Sequence, residues 1–265
     1  MGKLRKYLQV NSRLGRAILA EFIGTFHHGG KLLVSRSRYL RLSVPIPPFD
    51  LCGLGGSLNP AVTLVMCLQG AVQWPLFPFY TLANLAGAFA AAAVQYGVYY
   101  DALNSYDGGQ RRTYGEKATA SIFSTFPNSK ISTLNCFFDQ VFGTFILCGC
   151  ILAMTDKRNM MPHKGLLPLA VGAIVFGIGT CWAYNCGYAL NPARDLGPRI
   201  FTAIAGWGVE PFSFRNYNWF WVPIVGPMVG SFVSWLVYSF FVQNIPSRNP
   251  QEDSAFDDQV AGSCL

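Results

Sequence analysis

Two asparagines and one arginine carry most of the chemistry this sequence offers. Asn59 opens the run Asn59-Pro60-Ala61, and Asn191 opens Asn191-Pro192-Ala193 with Arg194 next. Proline suits the first turn of a helix, because its missing N–H needs no partner there. Each asparagine is therefore placed as an N-cap, and plain capping is the ordinary role for such a residue. Arg194 ends a stretch that holds no Asp, Glu, Lys, Arg or His from Gly165 onward. An arginine in apolar surroundings is costly and marks a functional position by default, with snorkelling to an interface as the ordinary alternative. His27, His28 and His163 have no partner constellation for acid–base or nucleophilic work, so no catalytic residue is expected. Eight cysteines show no CxxC or Cys/His spacing, so neither a metal nor a cofactor is expected.

The elements that hold these residues are apolar. Only 12% of the 265 residues are charged, against about 25% in an average soluble domain. Four intervals contain no Asp, Glu, Lys, Arg or His: Asp50 to Asp101, Asp139 to Asp156, Lys164 to Arg194 and Arg215 to Arg248. A helix crossing about 30 Å of hydrocarbon needs about 20 mostly apolar residues. Spans are accordingly expected near residues 76–100, 136–155, 165–184 and 219–242, with Trp219 and Trp221 as interfacial anchors. The pieces 59–68 and 191–205 are too short to cross and read as half-helices. The chain reads as an all-α membrane protein with the lipid bilayer as its surroundings. The net charge of +7 does not point to nucleic acid. Lys3, Arg5, Lys6, Arg13 and Arg16 flank the first apolar stretch, as a cytoplasmic N-terminus does under the positive-inside rule. The tail, 243–265, is polar and acidic and reads as disordered and cytoplasmic.

The two halves repeat. Leu58-Asn59-Pro60-Ala61-Val62-Thr63-Leu64 matches Leu190-Asn191-Pro192-Ala193-Arg194-Asp195-Leu196 at five of seven positions. Upstream, Glu21-Phe22-Ile23-Gly24-Thr25-Phe26 aligns with Gln140-Val141-Phe142-Gly143-Thr144-Phe145. Repeats in membranes commonly pack with inverted topology and place discontinuous helices at the midplane.

Paired Asn-Pro-Ala half-helices in a duplicated apolar chain resemble the aquaporin family. The run Asn191-Pro192-Ala193-Arg194-Asp195, followed by Leu196-Gly197-Pro198-Arg199, is similar to its glycerol-conducting branch, the aquaglyceroporins. The resemblance implies an inverted-repeat bundle with two re-entrant half-helices and a channel domain over 51–242, assembled as a homotetramer in the plasma membrane. It implies facilitated passage of water, glycerol and similar small neutral solutes, urea among them. Asn59 and Asn191 would turn amide donors toward a passing hydroxyl, with the half-helix N-termini excluding cations. Arg194 would line the selectivity filter. Gly179, twelve residues before Asn191, would leave room for a carbon chain, and Tyr188 would wall the apolar side. Asp195 would hold the loop of Arg194. Glu21 and Gln140 would satisfy the irregular backbone beside the half-helices.

One interval departs from that pattern. Gly24 to Asn59 is 35 residues, whereas Gly143 to Asn191 is 48. The first repeat is thus 13 residues shorter than the second and reads as incomplete. The segment 27–50 carries Lys31, Arg36, Arg38 and Arg41 with Pro45, Pro47 and Pro48. Helix-centre Lys or Arg costs about 2.5–3.5 kcal/mol each, so no span is expected there. An alternative function follows, a non-conducting subunit that assembles with intact relatives. By itself the chain is expected to conduct poorly, and an apolar hairpin between Phe26 and Leu51 to improve it.

Overall fold

The computed structural model describes residues 13–28, 56–159, 161–163 and 165–244. Among them no strand occurs, and the order is helical throughout. Helix α1 is Arg13–His28, α2 Pro60–Leu68, α3 Phe77–Val98 and α4 Tyr100–Asp107. There follow α5 Thr133–Thr155, α6 Leu167–Cys186, α7 Pro192–Thr202, α8 Glu210–Ser213 and α9 Val222–Tyr238. Four stretches are long and apolar enough to cross a membrane: Trp74–Val98, Thr133–Thr155, Leu167–Cys186 and Val222–Gln243. Helix α1 includes His27 and His28, the first two residues of the segment 27–50. The other residues of 27–50, and the tail from 245, lie outside the described residues.

Local chemistry sets where these helices begin and end. Prolines in the first turn start α2, α3, α6, α7 and α9. Gly187 closes α6 in the left-handed region, φ 78, which glycine enters without steric cost. The half-helix α7 is regular only to Thr202; a wider turn follows, and at Gly206 (φ 117) the backbone leaves the helix. The stretch between α3 and α5 contains one further helix, α4, capped by left-handed Gly108.

Packing repeats as the sequence does. Helix α1 lies on α3, and α5 on α9. A methyl built on Gly87 would sit 2.3 Å from Phe22 O, and one on Gly230 would sit 2.3 Å from Val141 O. Lipid supplies no hydrophobic drive between helices, so close backbone approach through such small residues is what joins each pair. Phe22 and Val141 are the same position of the two repeats, so the same contact is built twice. Each half-helix then crosses to the other repeat. Val62 and Val65 of α2 pack with Cys148, Leu152 and Tyr238, while Gly197 of α7 presses on the Leu85 carbonyl and Ala88 of α3.

The loop after α5 is fastened to the far end of the bundle. Arg158 pairs with Asp156 at 2.7 Å and donates to Gln243 O, and the Tyr238 hydroxyl donates to Asp156. Hydrogen bonds from Arg158, and then from Tyr238, hold the Asp156 carboxyl below the usual carboxylate range. Trp219, expected at an interface, is instead fully buried, because its indole N–H donates to Thr125 O in the loop before α5.

Candidate functional site: two half-helices joined at their N-termini

Asn59 and Asn191 do more than cap. Their backbones are extended, at φ −155 and −146, as an N-cap requires. Asn59 Oδ1 accepts from Ala61 N at 2.9 Å, and Asn191 Oδ1 accepts from Ala193 N at 3.0 Å and Arg194 N at 3.3 Å. Each Nδ2 reaches across to the other repeat: Asn59 donates to Leu190 O at 2.9 Å and Asn191 to Leu58 O at 2.8 Å. The helices therefore meet N-terminus to N-terminus. An amide nitrogen carries two protons, so each asparagine keeps one donor beyond this brace. The carbonyls that accept it are turned across by left-handed leucines, Leu58 at φ 56 and Leu190 at φ 51. For a branched residue that backbone costs on the order of 1–3 kcal/mol, so neighbouring bonds must hold it.

Glu21 and Gln140 supply those bonds. Glu21 Oε1 accepts from Ser57 N at 2.6 Å and Ser57 Oγ at 2.9 Å, and Oε2 accepts from Leu58 N at 2.7 Å. Gln140 Oε1 accepts from Leu190 N at 3.0 Å. Both side chains are buried in helices of the bundle, α1 and α5. Replacing Glu21 with alanine strands the buried Leu58 N–H, at a cost of about 1–3 kcal/mol, and the half-buried Ser57 N–H at a smaller one. Glu21→Ala is thus expected to lower the unfolding temperature in detergent by several degrees and to cut delivery to the membrane, whereas Glu21→Gln keeps part of both. A Glu21→Ala protein as stable as the parent would remove the clamp from Glu21.

Gly179, Tyr188 and Arg194 come together beside this junction. A methyl on Gly179 would lie 2.9–3.2 Å from three Tyr188 ring carbons, so the ring occupies the space that glycine leaves. Tyr188 holds φ 38 just after the Gly187 cap, which turns it back toward α6. Arg194 is 9% exposed, its charge within electrostatic reach of Tyr188 and Asp195. Its Nη1 is buried without a hydrogen-bond partner among the described residues. An unmet buried donor is rare and calls for an explanation.

Asp195 is committed to a second fastening. One carboxylate oxygen accepts from Thr125 N at 2.6 Å and from the Thr125 hydroxyl; the other takes Arg199 Nε at 2.9 Å. Arg199, fully buried, also donates to Pro211 O and Thr125 O, both at 2.6 Å, and its guanidinium lies 4.8 Å from the Phe126 ring centre. The pair ties α7 to two loops at once. Neither Arg199 nor Thr125 is among the site residues that the sequence singles out. The Asp195/Arg199 spacing of four on a short helix is the available signal for the arginine; Thr125 gives none. A separate cavity of about 630 Å³ borders Tyr96, Tyr100, Asn104 and Arg111, away from these residues.

Comparison with known proteins places this arrangement. Residues 53–238 match the family model described as major intrinsic protein. Human aquaporin-9 is 39% identical over 269 aligned positions, covering 95% of this chain and 90% of that protein. Human aquaporin-10 is 39% identical over 262 positions, covering 89% and 84%. The aligned length with aquaporin-9 exceeds the 265 residues of this chain, so the chain carries gaps against it. Among solved structures, the aquaglyceroporin from Plasmodium falciparum superposes with a TM-score of 0.75 at 29% identity, covering 86% of this chain and 97% of that one. Matched along most of its length in sequence and in fold, the chain belongs to the major intrinsic protein family.

Proposed function

We propose that solute passes through the junction of α2 and α7, with Asn59 and Asn191 as its midpoint and Gly179, Tyr188 and Arg194 as its filter. As a member of this family the chain is a transmembrane channel for water and glycerol, and not an enzyme. The observation that carries the pore assignment is the reciprocal pair of bonds from each asparagine to the opposite leucine carbonyl. Two positive helix ends, each worth about half a charge, then face one point and oppose cations there. A polyol offers hydroxyl acceptors to the spare amide protons and to Arg194 Nη1, and its carbon edge to the Tyr188 ring. Urea fits the same donors. A homotetramer is supported by α6, which leaves Leu169, Phe176 and Tyr184 exposed while the other spans bury more of their surface. The basic N-terminal flank supports cytoplasmic termini, and the family resemblance a place in the plasma membrane.

Proteoliposome swelling tests this. The chain is expected to admit glycerol and water faster than empty vesicles, and an apolar hairpin inserted between Phe26 and Leu51 to raise both rates. No uptake by either form would overturn the pore assignment. Uptake by the hairpin form alone would favour the non-conducting subunit for the natural chain.

A further inference from the structure

The two clamps differ in a way that exposes a further positioning residue. Glu21 offers only acceptors, which is all that the backbone N–H groups before Asn59 need. Gln140 offers an acceptor end and a donor end, and only the acceptor suits Leu190 N. Something must fix which end of that amide faces the loop. Gln140 Nε2 donates to Asp139 Oδ2 at 3.2 Å and to Cys186 Sγ at 3.1 Å. Asp139 also accepts from Cys186 Sγ at 3.2 Å on the same oxygen and from Asn185 Nδ2 at 2.9 Å on the other. It is a buried carboxylate beside the last turn of α6. The first repeat has Ala20 at the matching position, next to Glu21, and needs no such device.

We propose that Asp139, with Cys186, sets the orientation of the Gln140 amide and through it holds the left-handed turn that aims Asn191. This rests on the pore assignment above for its consequence in flux, but not for its geometry. The segment from Asn185 to Asn191 is then gripped at both ends, Asp139 on Asn185 and Cys186, Gln140 on Leu190. Without the carboxylate, Gln140 Nε2 keeps only the weaker sulfur acceptor of Cys186, and the flipped amide would set N–H against the Leu190 N–H.

Three variants test the assignment. Asp139→Asn puts an amide donor among three donors and is expected to reduce glycerol flux per delivered channel about five-fold or more. Gln140→Glu places two carboxylates within about 3 Å, which cannot both stay ionised. Once protonated, the carboxyl introduced at position 140 can still donate to Asp139 while accepting from Leu190 N, so flux should rise as pH falls from about 8 to about 5. The other ionisable groups at this place are Cys136, Cys186 and Arg215, the last bonded to Thr133 Oγ1, Asn128 O and Ile131 O. The double variant, Asp139→Asn with Gln140→Glu, restores donor to acceptor and should recover flux and lose the pH dependence.

Exchange of the Leu190 amide hydrogen, read by mass spectrometry in detergent, follows the same order without needing conduction: fast in Asp139→Asn, slow again in the double variant. A Gln140→Glu channel indifferent to pH, or a double variant no better than the poorer single one by flux and by exchange, would overturn the proposal. A chain without flux whose amide exchange still follows this order would fault the pore assignment alone.

Discussion

Gly179→His should lose glycerol uptake by roughly ten-fold or more while keeping most of its water uptake. The reason is steric first. A β-carbon at 179 already falls 2.9 Å from the Tyr188 ring, so an imidazole must either push the ring or fill the passage beside it. Tyr188 has little freedom to yield, since its backbone is fixed at φ 38 between the Gly187 cap and the Asn191 loop. With the ring already seated against Gly179, either outcome narrows the passage, which obstructs a three-carbon polyol more than a single file of water. The imidazole also adds a donor to the wall that Tyr188 lines, which favours the more polar of the two solutes. Swelling in glycerol and in sucrose gradients, normalised to channel delivered, measures both fluxes. Equal loss of both solutes, or loss of neither, would take Gly179 out of the filter.

Arg199→Met is expected to cost the fold about 3–5 kcal/mol, because it leaves the Asp195 carboxylate buried without its cation. Folded domains are stable by only about 5–15 kcal/mol in total, so little mature channel should reach the membrane. Thr125 still donates twice to Asp195, but the Pro211 and Thr125 carbonyls lose the arginine that joins them. The penalty is chiefly that of a stranded charge, so Asp195→Asn added to Arg199→Met should recover a measurable part of it. Thermal unfolding in detergent and surface delivery report the two steps. A double variant no more stable than Arg199→Met would show that the bridge between loops, rather than the charge, carries the cost. An Arg199→Met protein as stable as the parent would remove the pair from the scaffold.

How far the sequence foretells the site depends on the range of each bond. Asn59 and Asn191 are legible because duplication repeats their motif and proline marks a helix start beside each one. The charge-free intervals locate four spans to within a few residues, since crossing hydrocarbon constrains composition directly. Trp219 misleads, because an aromatic ahead of an apolar run has the pattern of an interfacial anchor. Its burial depends on a carbonyl 94 positions away. The grips of Arg199 on Thr125 and Pro211 are hidden for the same reason.

By itself, then, the sequence determined a duplicated, helical, membrane-crossing chain with two short segments opened by Asn-Pro-Ala, because hydropathy and capping act over one helix turn to one span. Only the tertiary structure decided that each asparagine braces the other repeat and that left-handed Leu58 and Leu190 turn their carbonyls to receive the brace. It alone placed Tyr188 in the space above Gly179 and set Asp139 behind Gln140. Those choices rest on groups from different helices meeting at depth, where water cannot satisfy an unmet backbone group and only the correct partner can.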